Sequence, residues 1–98
     1  MTELSFDFQE LTAALSAASA RCRAKATEAM QVEDHVCRAR LAEESRAALK
    51  EGLGVLTSLA TAIASSGHPA GIEHLEKSAA DITSAVRLSA CAAKASRE

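Results

Sequence analysis

From Phe8 onward, apolar and small residues recur every three or four positions: Phe8, Leu11, Leu15, Ala18, Cys22, Ala26, Ala29, Val32 and Val36. That spacing places them on one stripe of a helix. Just ahead of the stripe, Asp7 and Glu10 have the spacing of a capping box, so the pattern predicts a helix that starts near Phe8. The stripe is hard to follow through Leu41 and Ala48, then recovers at Leu49, Leu53, Leu56, Leu59 and Ile63. Gly52 and Gly54 interrupt it, each costing about 1 kcal/mol relative to Ala in a helix interior. A bend or boundary is therefore expected near residues 50–54. The clearest break is Ser65-Ser66-Gly67-His68-Pro69-Ala70-Gly71, where Gly can end one helix in the left-handed region and Pro fits the start of the next. A further helix is predicted from Pro69 or Ala70 into the mid-90s, with Ile72, Leu75, Ala79, Ile82, Val86 and Ser89 on one face.

Nothing before Gly52 forces a break. An uninterrupted helix from Phe8 to Lys50 would be about 43 residues, or roughly 65 Å at 1.5 Å per residue. So long a rod either folds back near Ala29–Asp34 or pairs with another rod as a coiled coil, and we favour the fold-back. The reading is one all-α domain over residues 1–98, an antiparallel helical bundle or long helical hairpin of three to four helices. Residues 1–6 and 94–98 are expected to fray.

Composition supports this class and adds a constraint. Trp and Tyr are absent and β-branched residues are few, whereas strong helix formers dominate. Of the 47 apolar residues, 23 are Ala, and Val, Ile, Leu, Met and Phe together supply only 21. Burying an Ala removes little surface from water, so the large residues must provide most of the hydrophobic stabilisation. A chain this short buries only a little over 60% of its unfolded surface, roughly. Close helix packing through small residues, or pairing with another chain, would relieve the shortage.

The net charge is −2 and no segment is a strong basic footprint. No aromatic residue follows position 8 to stack on a base, so nucleic-acid binding is not expected. The acidic start "MTELSFDFQE" lacks the basic-then-apolar pattern of a cleavable signal. Only about Leu53–Ala64 is solidly apolar or small, which is too short to span a bilayer. Cys22, Cys37 and Cys91 form an odd, widely spaced set, as reduced thiols would. A cytoplasmic protein without membrane attachment is the expectation.

Three chemistries have candidate residues. His35 and Arg38 have the spacing seen around the phosphorylated histidine of phosphotransfer bundles, where a cation one turn on stabilises the phosphate. Ala39 stands where those motifs usually have Gly, and Cys37 where a larger aliphatic residue is usual. Metal binding by His35 and Cys37 together fails on geometry, because positions i and i+2 diverge around a helix. No metal and no cofactor is expected. Nucleophilic catalysis has thiols and imidazoles to draw on, yet there is no glycine-rich loop or strand-to-helix elbow to build a site around them. The chain is read as a non-enzyme.

The apolar stretch Arg46–Ile63, "RAALKEGLGVLTSLATAI", is the strongest candidate for functional surface. Leu49, Leu53, Leu56, Leu59 and Ile63 form either the core of the bundle or the ridge that meets a partner helix. Within it, Arg46–Leu59 resembles the C-terminal helix of the small helical co-chaperones of type III secretion needle subunits. The Gly67–Pro69 turn has a loose counterpart there. The resemblance covers about 14 residues and implies a cytoplasmic chaperone or adaptor that heterodimerises. The expected partner is another protein helix or a second copy of this chain, in a homo- or hetero-oligomer. The alternatives are a phosphotransfer bundle with His35 as acceptor and a self-assembling coiled-coil subunit.

Overall fold

The computed structural model describes the backbone of residues 2–67 and 69–97, with side chains over 9–65, 67 and 71–97. Three helices, α1 (Thr2–Gln31), α2 (His35–Ser66) and α3 (Pro69–Arg97), all pack against one another in an all-α bundle. The expected fold-back falls at residues 32–34, between α1 and α2. Contacts run in opposite senses along α1 and α2, with Arg21 beside Glu51 and Lys25 beside Glu44, so the two are antiparallel. Arg23 meets Asp81 and the Cys22 thiol meets the Ala85 carbonyl, which fixes α3 alongside both.

Each turn has a local cause. Asp34 caps α2, its carboxylate accepting the Val36 N–H at 3.4 Å while its own backbone stays extended. At the far end Gly67 takes φ 63°, and its N–H reaches the Ile63 carbonyl at 2.9 Å. That left-handed residue ends α2, and Pro69 opens α3. The start of α1 differs from the expectation, since the helix begins at Thr2 and not near Phe8. Nothing in "TELSFD" breaks a helix, so the backbone continues N-terminal of Asp7; the side chain of Asp7 lies outside the described residues.

The core is built from small residues. In α1, Leu15, Ala18, Ser19, Cys22, Ala26 and Ala29 are all but inaccessible to solvent. From α2 come Leu41, Ala42, Ser45, Ala48, Gly52, Leu59 and Ile63, and from α3 come Gly71, Ser78, Ile82, Ala85, Ser89 and Ala92. Along α3 the buried positions alternate steps of three and four through Ser78, Ile82, Ala85, Ser89 and Ala92, the spacing that keeps a narrow seam facing a neighbouring helix. Cys22 is the node that joins all three helices. Its sulfur lies 3.4 Å from the Ser45 hydroxyl and 3.6 Å from the Ala85 carbonyl, and Ser45 donates to the Cys22 carbonyl at 2.9 Å.

This packing corrects the sequence reading in two places. Gly52 and Gly54 do not bend α2, which is continuous from His35 to Ser66. Gly52 is instead a point of close approach: a Cβ there would stand 2.6 Å from Ile82 Cδ1 and 3.5 Å from Ala18 Cβ, whereas one at Gly54 would meet nothing within 4 Å. The predicted stripes also depart from the buried faces at particular positions. Ile72 and Val86, placed on the inner face of α3 by the pattern, are 56% and 39% exposed, and Val36 is 76% exposed. Val36 leaves the α1 stripe because the chain turns between Gln31 and His35. Ile72 and Val86 turn outward because Gly71, Ser78 and Ala85 occupy the face on which the helices approach most closely.

Candidate functional site

The five residues proposed as partner anchors divide between two environments. Leu59 is fully buried and Ile63 is buried, so both belong to the chain's own core. Leu49 and Leu56 are half-buried, and Leu53 is 42% exposed. The division follows from the seam. Ser45, Ala48 and Gly52 face inward, which carries Leu49, Leu53 and Leu56 to the flank of α2 next to α3. On α3, Ile72 and Val86 lie one position beyond the inward Gly71 and Ala85 and share that flank. The result is an apolar strip along the α2–α3 seam, one that a search for large residues at core spacing assigns to the interior.

The three seams are not alike. Arg21 pairs with Glu51 at 3.0 Å and Lys25 with Glu44 at 3.5 Å across α1–α2, and Arg23 binds Asp81 across α1–α3. Arg23 also reaches the Asp81 backbone carbonyl at 3.5 Å. No ion pair joins α2 to α3 among the described residues. Arg46 and Lys50, on the outer side of this seam, are exposed.

The α1–α2 turn holds the other candidate residues. His35 is the first residue of α2 and is exposed. Arg38 does not extend toward it, because its guanidinium donates from Nε (3.2 Å) and Nη2 (2.8 Å) to the Val32 carbonyl. This cation neutralises the C-terminal end of α1, whose own last turn has no basic residue. The sequence spacing of Asp34 and Arg38 suggests an i,i+4 pair, but the turn occupies both groups otherwise, Asp34 as a cap and Arg38 as a carbonyl partner. Asp34 also accepts from the Cys37 thiol. That bond, with the Val36 N–H, holds the Asp34 carboxyl below its usual range, and the same bond pushes the Cys37 thiol up. The same contact disfavours the thiolate, the nucleophilic form of the side chain. Among the described residues, no three of the His, Cys, Asp and Glu side chains stand close enough to hold one metal ion.

By length and composition α2 is apolar enough to cross a membrane, a property it shares with core helices of soluble bundles. Its first half carries Arg38, Arg40, Glu43, Glu44, Arg46, Lys50 and Glu51. The charge-free remainder, residues 52–66, is about 22 Å long, against a hydrocarbon core of about 30 Å.

No protein family, curated protein or solved structure matches the chain.

Proposed function

We propose that this protein is a non-enzymatic binding module whose α2–α3 seam receives an apolar helical surface from a protein partner. The observation that carries this reading is the exposed strip of Leu53, Ile72 and Val86, with half-buried Leu49 and Leu56, on a seam that no ion pair closes among the described residues. Contiguous apolar surface with a polar border is what helix-in-groove recognition uses, and scattered single residues would not supply it. A cytoplasmic secretion chaperone or adaptor is a specific form of this reading, supported by the resemblance of residues 46–59.

The test compares tagged wild-type protein with the Leu53→Asp variant in capture from native lysate, with circular dichroism on both. The expected result is a co-purifying protein, in near-equal amount, that is lost in the variant while helicity is kept. Equal recovery by the two proteins would sink the proposal, and so would a bait that is recovered with nothing bound and is monomeric in solution. Loss of helicity in Leu53→Asp would place Leu53 in the core and equally count against it.

A further inference from the structure

We propose that the occupant of the α2–α3 seam is a second copy of this chain, packed antiparallel about a two-fold axis at the level of Gly52 and Ile82. This rests on the binding-module reading above and goes further by naming the partner.

Gly52 and Ile82 are in register, since a Cβ on one would press on the side chain of the other. Arg46 precedes Gly52 by six residues along α2, and Glu76 precedes Ile82 by six along α3. The helices are antiparallel, so these two side chains sit about 9 Å from the Gly52–Ile82 level on opposite sides of it. Both are exposed and neither forms an ion pair within the chain among the described residues. A two-fold axis perpendicular to the helices at that level brings Arg46 of each copy to the height of Glu76 of the other. Val86 and Leu56 obey the same relation, each four residues from the level and on opposite sides, so the half-exposed Val86 of one copy meets the half-buried Leu56 of the other. Leu53 lies beside the axis and meets its own equivalent. A self-complementary patch of this kind is what a two-fold dimer requires.

The charge of the whole chain has the same polarity. The half nearest the α2–α3 turn, residues 1–16 and 52–83, carries six acids and one base. The half nearest the α1–α2 turn, residues 17–51 and 84–97, carries ten bases and six acids. Antiparallel association sets the acidic half of each copy against the basic half of the other, and parallel association sets like against like. The bundle is 51 Å long. A strip of that length and about one helix diameter wide presents roughly 500 Å² per copy, at the lower end for specific interfaces. A reversible dimer in the micromolar range is expected.

Sedimentation equilibrium from micromolar to millimolar concentration is the measurement, with circular dichroism to confirm folding. Wild type should shift from monomer to dimer, more weakly as salt is raised, and Leu53→Asp should stay monomeric. Arg46→Glu and Glu76→Lys should each abolish dimerisation, yet an equimolar mixture of the two should dimerise, because the heterodimer restores opposite charge at both contacts. A wild-type dimer whose charge variants are not rescued on mixing overturns the antiparallel arrangement. A wild-type monomer at every concentration overturns the second copy: if that monomer still captures a different protein through Leu53, the broader binding reading stands, and if it captures nothing, both fall.

Discussion

The seams that α1 makes with its neighbours and the seam between α2 and α3 are built from the same small inward residues but are finished differently at their edges. Around α1, long charged side chains lie across the joint and pair: Arg21 with Glu51, Lys25 with Glu44, and Arg23 with Asp81. Between α2 and α3 the flanking positions are Leu49, Leu53, Leu56, Ile72 and Val86, and these remain partly in water. The difference teaches that the inner face of this bundle does not use up the chain's large apolar residues. Helices that approach at Gly52, Ala18 and Ala85 leave no room for them, so part of the surplus moves outward, and Leu53, Ile72 and Val86 collect on one edge.

The comparison can be broken most severely from the inside. Gly52→Leu forces a side chain against Ile82 and Ala18, and it should destabilise the fold by about 2–3 kcal/mol in urea unfolding. Gly54, two residues away and with open space around it, should do the opposite: Gly54→Ala is expected to stabilise by about 1 kcal/mol through helix propensity alone. Next come the edges of the α1 seams. Arg23→Ala should cost about 0.5–1 kcal/mol, because that side chain is about two-thirds buried and also reaches a backbone carbonyl. Arg21→Ala, with both partners more than half exposed, should cost less than about 0.5 kcal/mol, and the loss should shrink in high salt. Smallest of all in stability is the open seam. Leu53→Gln should leave the unfolding midpoint of the dilute monomer within about 0.5 kcal/mol of wild type while weakening association. A large loss of monomer stability would instead make Leu53 part of the core and erase the contrast between the seams.

Much of the fold is legible in the sequence because its turns are punctuated by residues with few alternatives. Gly67 and Pro69 mark the second turn through backbone conformation, and the α1 stripe runs true from Leu15 to Ala29 because no large residue competes with the small ones for that face. Which face of α2 and α3 turns inward is not legible in the same way. Periodicity ranks Leu53, Ile72 and Val86 above Ser45 and Ser78 as core residues, since it weighs size and hydrophobicity. The bundle weighs how closely its backbones approach, and there Ser and Ala outrank Leu. A search for Ala, Ser, Gly and Cys at steps of three and four would have found the true inner faces. Arg38 escaped for another reason. Its partner is the Val32 carbonyl across a turn, and no pattern of side-chain types announces a bond to the backbone.

A core rich in Ala, Ser, Cys and Gly also changes the thermodynamic character of folding. Ala and Gly give up no rotamers on burial, whereas each buried Leu or Ile gives up about 0.5–1 kcal/mol of side-chain entropy. The interior therefore orders at little side-chain entropic cost even though it shelters little oily surface. Because exposure of apolar surface sets the heat capacity of unfolding, that increment should fall below the usual 12–15 cal/mol/K per residue, roughly. A small increment flattens the stability curve, so the helices should hold together over a wide span of temperature and lose little on cooling.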